Sequence, residues 1–195
     1  MNRIITIGRE FGSGGRTIAR MTAEKLGIKA YDNDLLVKIA EESGFAKDYI
    51  AEKGDSSPLS AMIARGLSGF GNYSHMTAED YLWKMQSKVI KELAEKESCI
   101  IVGRCADYIL RDSADCLRVF IYADIEKRAE RIVSVYKDNG GEPPQKRLKD
   151  KDKHRSAFYS VHTDMTWGDP HNYHICLDSG TLGFERCVDI IASLY

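Results

Sequence analysis

Residues 8–17 read GREFGSGGRT, four glycines and a small serine closing on a basic residue and a hydroxyl. Glycines at this density let consecutive backbone N–H groups converge on one anion, and a helix that follows adds the positive end of its dipole. The chemistry this spacing can do is phosphate binding. The phosphate-loop pattern GxxxxGK[ST] fits in two registers. In one, Gly15-Arg16-Thr17 stands where GKT would, and Glu10 takes the place of the opening glycine. In the other, Gly12-Ser13-Gly14 is the GSG of a GSGKG loop and Gly15 replaces the lysine. Both registers leave Arg16 as the expected cation, always charged and able to grip a phosphate with two donors. Gly12, Ser13, Gly14, Gly15, Arg16 and Thr17 are the expected phosphate cradle, with Thr17, or Ser13 in the second register, as the Mg²⁺ ligand. A glycine-rich turn that merely joins strand to helix is the plainer alternative. A dinucleotide-binding GxGxxG loop fits less well, because Thr17 stands where the third glycine belongs, although Asp32 is well placed for it.

Further charged residues fall where ligands are held. Arg104 follows the apolar run 99–102 after a single glycine, Gly103, and open α/β sheets place ligands at strand C-termini. Arg147, Lys149, Lys151, Lys153 and Arg155 alternate with Asp150 and Asp152, which reads either as a functional cluster or as a solvated helix face. Asp34 either serves the site or caps a helix starting at Leu35. His154, His162, His171, His174 and Cys176 crowd late in the chain, but Pro170 and a following strand make them polar loop residues rather than a zinc site.

The elements that must position these groups alternate. Strand 4–7 precedes the glycines; helix 17–26, closed by Gly27, follows them. Residues 29–31 form a second short strand and 35–43 a helix, and the glycine- and serine-rich stretch 54–76 is the least regular part. A long amphipathic helix over 78–96 feeds a buried strand at 99–102. Strand 117–122 is followed by Asp124 as N-cap of a helix over 125–136, with Ile125, Ala129, Ile132 and Val133 inward. A strand at 173–177 and a helix over 183–194 complete the pattern. Short, almost wholly apolar strands alternating with helices predict an α/β fold, a mostly parallel sheet covered on both faces.

Composition narrows the function. With 195 residues, 43% hydrophobic and 29% charged content, one domain with one core is expected. The formal charge of -1 provides no field for gathering a polyanion, so nucleic acid is not an expected partner. Five cysteines without a CxxC pair fit free thiols in a reducing compartment. No stretch has the length of a membrane span and residues 1–7 do not make a signal peptide, so a cytoplasmic protein is expected.

The segments GREFGSGGRTIA (8–19), YDNDLL (31–36), IIVGR (100–104), RVFIYADIEKRAERI (118–132), KDKDKHRSAFY (149–159) and WGDPHNYHICLDS (167–179) together resemble the cytidylate kinase-like family, over nearly the whole chain. The resemblance implies a three-layer P-loop kinase fold: a core (1–34, 78–140 and 170–195), an acceptor-binding insert (about 35–77) and a lid (about 141–165). It implies transfer of phosphate from ATP, with Mg²⁺, to a nucleoside monophosphate such as CMP or dCMP. Arg104, in a GR pair similar to the family's GRD, would bind the acceptor phosphate. Asp32 and Asp34 would hold the acceptor's sugar or a metal-bound water. Arg155, and with it Arg147, would bring charge from the lid to the transition state beside Arg16. The chain departs from the pattern in three places: the loop lysine is missing, Cys105 follows Gly103-Arg104, and Asn33-Asp34-Leu35 stands for DTG. A nucleotide-binding module without turnover, or a kinase of a non-nucleotide acceptor, are the competing expectations, and specificity is expected to lie in 54–76.

Overall fold

The computed structural model describes residues 3–32, 78–112, 115–137 and 141–195. The expected acceptor-binding insert, the helix over 35–43 and Asp34 lie outside the described residues. The described part is a five-stranded, wholly parallel sheet in the order β2-β3-β1-β4-β5. Its strands are β1 (Ile4–Arg9), β2 (Lys29–Tyr31), β3 (Cys99–Val102), β4 (Cys116–Tyr122) and β5 (Ile175–Asp178). The helices are α1 (Gly15–Leu26), α2 (Ala78–Lys96), α3 (Ala106–Ile109), α4 (Ile125–Ser134), α5 (Pro144–Thr163), α6 (Ser179–Leu182) and α7 (Phe184–Ser193).

Alternation along β1 divides the core into two. Ile4 joins Val89, Ile90 and Leu93 of α2 with Cys99 and Ile101 on one face of the sheet. Ile5 and Ile7 join Ile18 and Ala19 of α1, Ile100 and Val102, and Val188 and Ile191 of α7 on the other. Each fully buried Ile contributes about 1.5–3 kcal/mol over its exposed state, so β1 is held from both faces. None of the five cysteines is in a disulfide. No described helix is long and apolar enough to cross a membrane.

Several expected boundaries move. Strand β1 runs on to Arg9, and α1 opens two residues early, at Gly15, because Gly14 with φ 81° turns the chain into the helix. Helix α4 ends at Ser134 rather than 136, and Val133 is 41% exposed where it was expected inward. The inward stripe is Arg128, Ala129 and Ile132, which meets Leu148 of α5; Val133 is a further 100° round the helix. Strand β5 starts at Ile175, since Tyr173 instead packs its ring on Phe120 at 4.9 Å. The charged segment 145–160 forms a single helix, α5, which begins with Pro144 and buries only Leu148, Tyr159 and Thr163.

Candidate active site

The parallel sheet brings the C-termini of β1, β3 and β4 to one edge, and the glycine loop crosses it between β1 and α1. Gly14 is the left-handed N-cap of α1, with no side-chain cap and no acidic residue in the first turn. The first intrahelical bond runs from Ile18 N to Gly14 O, so the N–H groups of the opening turn face out of the helix. A Cβ at Gly14 would run into the Phe184 ring, and one at Gly12, φ 82°, would stand 3.0 Å from the Arg128 carbonyl oxygen. The loop is braced inside as well: Ser13 Oγ donates to Glu10 O at 2.9 Å, and Ser179 Oγ donates to Ser13 O at 2.6 Å. A cavity of about 210 Å³ lies against the loop, lined by residues 9–12 and 14–17 together with Tyr136 and Arg155. A glycine cradle with outward N–H groups and arginines suits a polyphosphate.

Charged side chains from two helices, α4 and α5, clamp this loop. Asp152 of α5 accepts from Phe11 N at 2.7 Å with Oδ1 and from Arg128 Nη1 at 2.6 Å with Oδ2. Arg128 is 8% exposed, donates also to Phe11 O at 3.2 Å, and approaches Glu10 Oε2 at 3.3 Å. Glu10 accepts from Ala123 N at 3.1 Å; burial raises its carboxyl above the usual range despite the opposing pull of Arg128. Arg155 Nη1 donates to Arg9 O at 3.2 Å, and its guanidinium lies 5.4 Å over the Phe11 ring.

A second cavity, about 30 Å³, opens where β3 ends. Gly103, Arg104 and Cys105 are consecutive left-handed residues with φ of 71°, 59° and 53°. Two of these are not glycine, and such backbone costs on the order of 1–2 kcal/mol per residue. Gln86 of α2 holds the bend by donating to Arg104 O at 2.9 Å. Beneath it Asp107, 5% exposed, accepts from Tyr159 Oη at 2.7 Å. Burial raises the Asp107 carboxyl, and the same burial together with the Asp107 charge raises the Tyr159 phenol. Arg9 and Arg155 line both cavities.

Of the residues expected from sequence, Gly12, Gly14, Gly15, Arg16, Thr17 and Arg155 line the loop cavity, and Arg104 lines the second. Ser13 lines a third cavity of about 260 Å³ on the loop's other side, between α4 and α6. Arg147 is not brought to either of the first two; it donates to Glu142 O at 2.5 Å, two turns of α5 away from Arg155. Arg16 is tied to Asp32, Nε to Oδ2 at 2.5 Å, so Asp32 is partnered with the loop. Thr17 Oγ1 accepts from Arg131 Nη2 at 3.2 Å, a cationic neighbour that does not suit a Mg²⁺ ligand. Among the described residues no three or more of His, Cys, Asp and Glu are gathered as the ligands of one metal ion would be. Arg9, Arg128 and Arg131 have no role in the sequence pattern, and Glu10 and Asp152 figure there only as a departure of the loop and as part of the charged run. The signal for Arg128 was its spacing, since it falls on the apolar stripe of α4.

The family model described as the cytidylate kinase-like family matches residues 4–181. The chain belongs to the cytidylate kinase-like family. Among curated relatives, it is 29% identical to a cytidylate kinase of Archaeoglobus fulgidus, covering 96% of this chain and 91% of that one. It is 26% identical to a cytidylate kinase 2 of Borrelia garinii subsp. bavariensis, covering 83% and 84%. Among solved structures, an uncharacterized protein from Eubacterium ventriosum superposes with a TM-score of 0.74 at 27% identity, over 99% of this chain and 98% of that one. A shikimate kinase from Acinetobacter baumannii superposes with a TM-score of 0.56 at 17% identity, over 100% and 92%, a likeness of fold alone. Family and fold define a P-loop phosphotransferase.

Proposed function

We propose that this protein transfers the γ-phosphoryl group of ATP to a nucleoside monophosphate of the cytidine type, CMP or dCMP. The observation that carries this reading is the meeting of two cavities, one on the glycine loop and one at Gly103-Arg104, across Arg9 and Arg155. Phosphoryl transfer needs donor and acceptor in line with cations around the transferred group, because little covalent chemistry falls to the protein. The names of the two curated relatives support the cytidine acceptor.

In this reading the loop N–H groups from Gly14 to Thr17 bind the donor phosphates, and Arg104 holds the acceptor phosphate. Arg155, carried on the lid helix α5, stabilises charge on the equatorial oxygens. An acceptor phosphate oxygen forms the new bond to the γ-phosphorus, the bond to the bridging oxygen breaks, and ADP leaves with that electron pair. The cavity between α4 and α6, with Arg131 4.3 Å over the Phe184 ring, would take the base of the donor. Mg²⁺ would enter on the nucleotide phosphates, as it does when few protein ligands are offered. Residues 35–77 would supply the acceptor-binding insert, and the protein would work in the cytoplasm.

The test is MgATP consumption against a panel of nucleoside and deoxynucleoside monophosphates, with products separated. Conversion of CMP or dCMP in preference to AMP, GMP and UMP supports the reading. MgATP binding without transfer to any of them would replace it by a nucleotide-binding module or a kinase of a non-nucleotide acceptor.

A further inference from the structure

The two departures of the loop from GxxxxGK are complementary in space. In the register where Gly12-Ser13-Gly14 is the GSG, the pattern asks for glycine at position 9 and lysine at position 15. The chain has Arg9 and Gly15. The structure agrees with this register, because α1 starts at Gly15 directly after the left-handed Gly14. A Cβ at Gly15 would stand 2.6 Å from Arg9 Cβ and 3.0 Å from Arg9 Cγ, so Arg9 fills the room that a side chain at 15 would take. Its guanidinium continues against Gly103, where a Cβ would collide with Nη1. Gly15 and Gly103 thus form a channel, and the arginine that fills it is only 7% exposed. Arg9 reaches both the loop cavity and the Arg104 cavity, the position from which a cation can touch a phosphate passing between them. Arg16 is differently placed: its side chain is 55% exposed and is paired with Asp32. A cation held in a low-dielectric, water-poor position interacts with phosphate more strongly than an exposed one.

We infer that Arg9, not Arg16, is the catalytic cation of this phosphate loop, arginine and glycine having exchanged the places that glycine and lysine hold in the usual pattern. The inference rests on the phosphotransfer reading only for the identity of the nucleotide that Arg9 touches. Calorimetric titration of MgATP into wild type, Arg9→Met, Arg16→Met and the double variant Arg9→Gly/Gly15→Lys tests it without turnover, with melting of each variant as the control for folding. Arg9→Met is expected to weaken MgATP at least tenfold more than Arg16→Met does. The double variant, which rebuilds GxxxxGK, is expected to recover most of the affinity, and kcat to follow the same order. A folded Arg9→Met that binds as well as Arg16→Met, or an Arg16→Met with the larger loss, overturns the inference. If Arg9→Met does not fold, the double variant decides in its place: binding weaker than that of Arg16→Met overturns it. Failure of the wild type to bind MgATP at all would instead sink the phosphotransfer reading.

Discussion

Arg155 reaches the phosphate loop while Arg147, on the same helix, does not, and the difference is helical phase. Eight residues are 2.2 turns, so the two side chains leave α5 in directions about 80° apart and at heights about 12 Å apart. Arg155 is packed, with 11% of its side chain exposed and contacts to Arg9 O and Phe11. Removing one prearranged donor for developing charge costs about 10²–10³ in rate. Arg155→Met is therefore expected to lower kcat by that factor in a steady-state assay with small change in KM for the acceptor, whereas Arg147→Met should lower it far less. Equal losses from both would show that α5 moves enough on closure to bring Arg147 in.

Helices α4 and α5 act on the loop as one clamp through Arg128 and Asp152. Both are nearly buried, with 9% and 14% of their side chains exposed, and each holds a loop backbone group as well as the other. Removing one partner of such a pair leaves an uncompensated charge, at a cost of about 3 kcal/mol. Arg128→Met and Asp152→Asn are each expected to lower the urea unfolding free energy by about that amount. The double variant should cost less than the sum, with a coupling of about 1–3 kcal/mol. An additive result would mean that the two helices hold the loop independently.

At the scale of the whole molecule, stability against pH contains a contribution from Asp107, buried between the sheet edge and α5. Its carboxyl is raised above the ordinary aspartate value of 3.8, so the folded chain binds this proton more tightly than the unfolded chain does. Stability from this group is then largest in acid and is lost as pH rises through the folded pKa. Asp107→Asn keeps an acceptor for Tyr159 and removes the titration. Its stability relative to wild type, from urea midpoints, is expected to be most favourable at about pH 7.5 and to fall as pH is lowered toward about 4. A gap that stays constant over that range would show that Asp107 titrates normally.

Most of the described elements were legible from local pattern. The α/β class, Asp124 as a cap, and the bounds of α2, β2 and β3 follow from periodicities of 3.6 and 2 and from their punctuation, because these depend on nearest neighbours along the chain. The glycine loop was legible as a candidate phosphate cradle for the same reason. Which cation serves it was not. Both registers pointed to Arg16, and the relevance of Arg9 appears only when β1, α1 and the end of β3 are brought together and Gly15 and Gly103 leave a channel between them. Likewise the Arg128 and Asp152 clamp joins residues 24 apart, and Phe11 to Asp152 spans 141. The sequence by itself determined most of the elements and the glycine-rich turn between the first strand and its helix, since both are local. Only the tertiary structure decided which charges are buried against that loop, because burial and pairing depend on residues far apart in the chain.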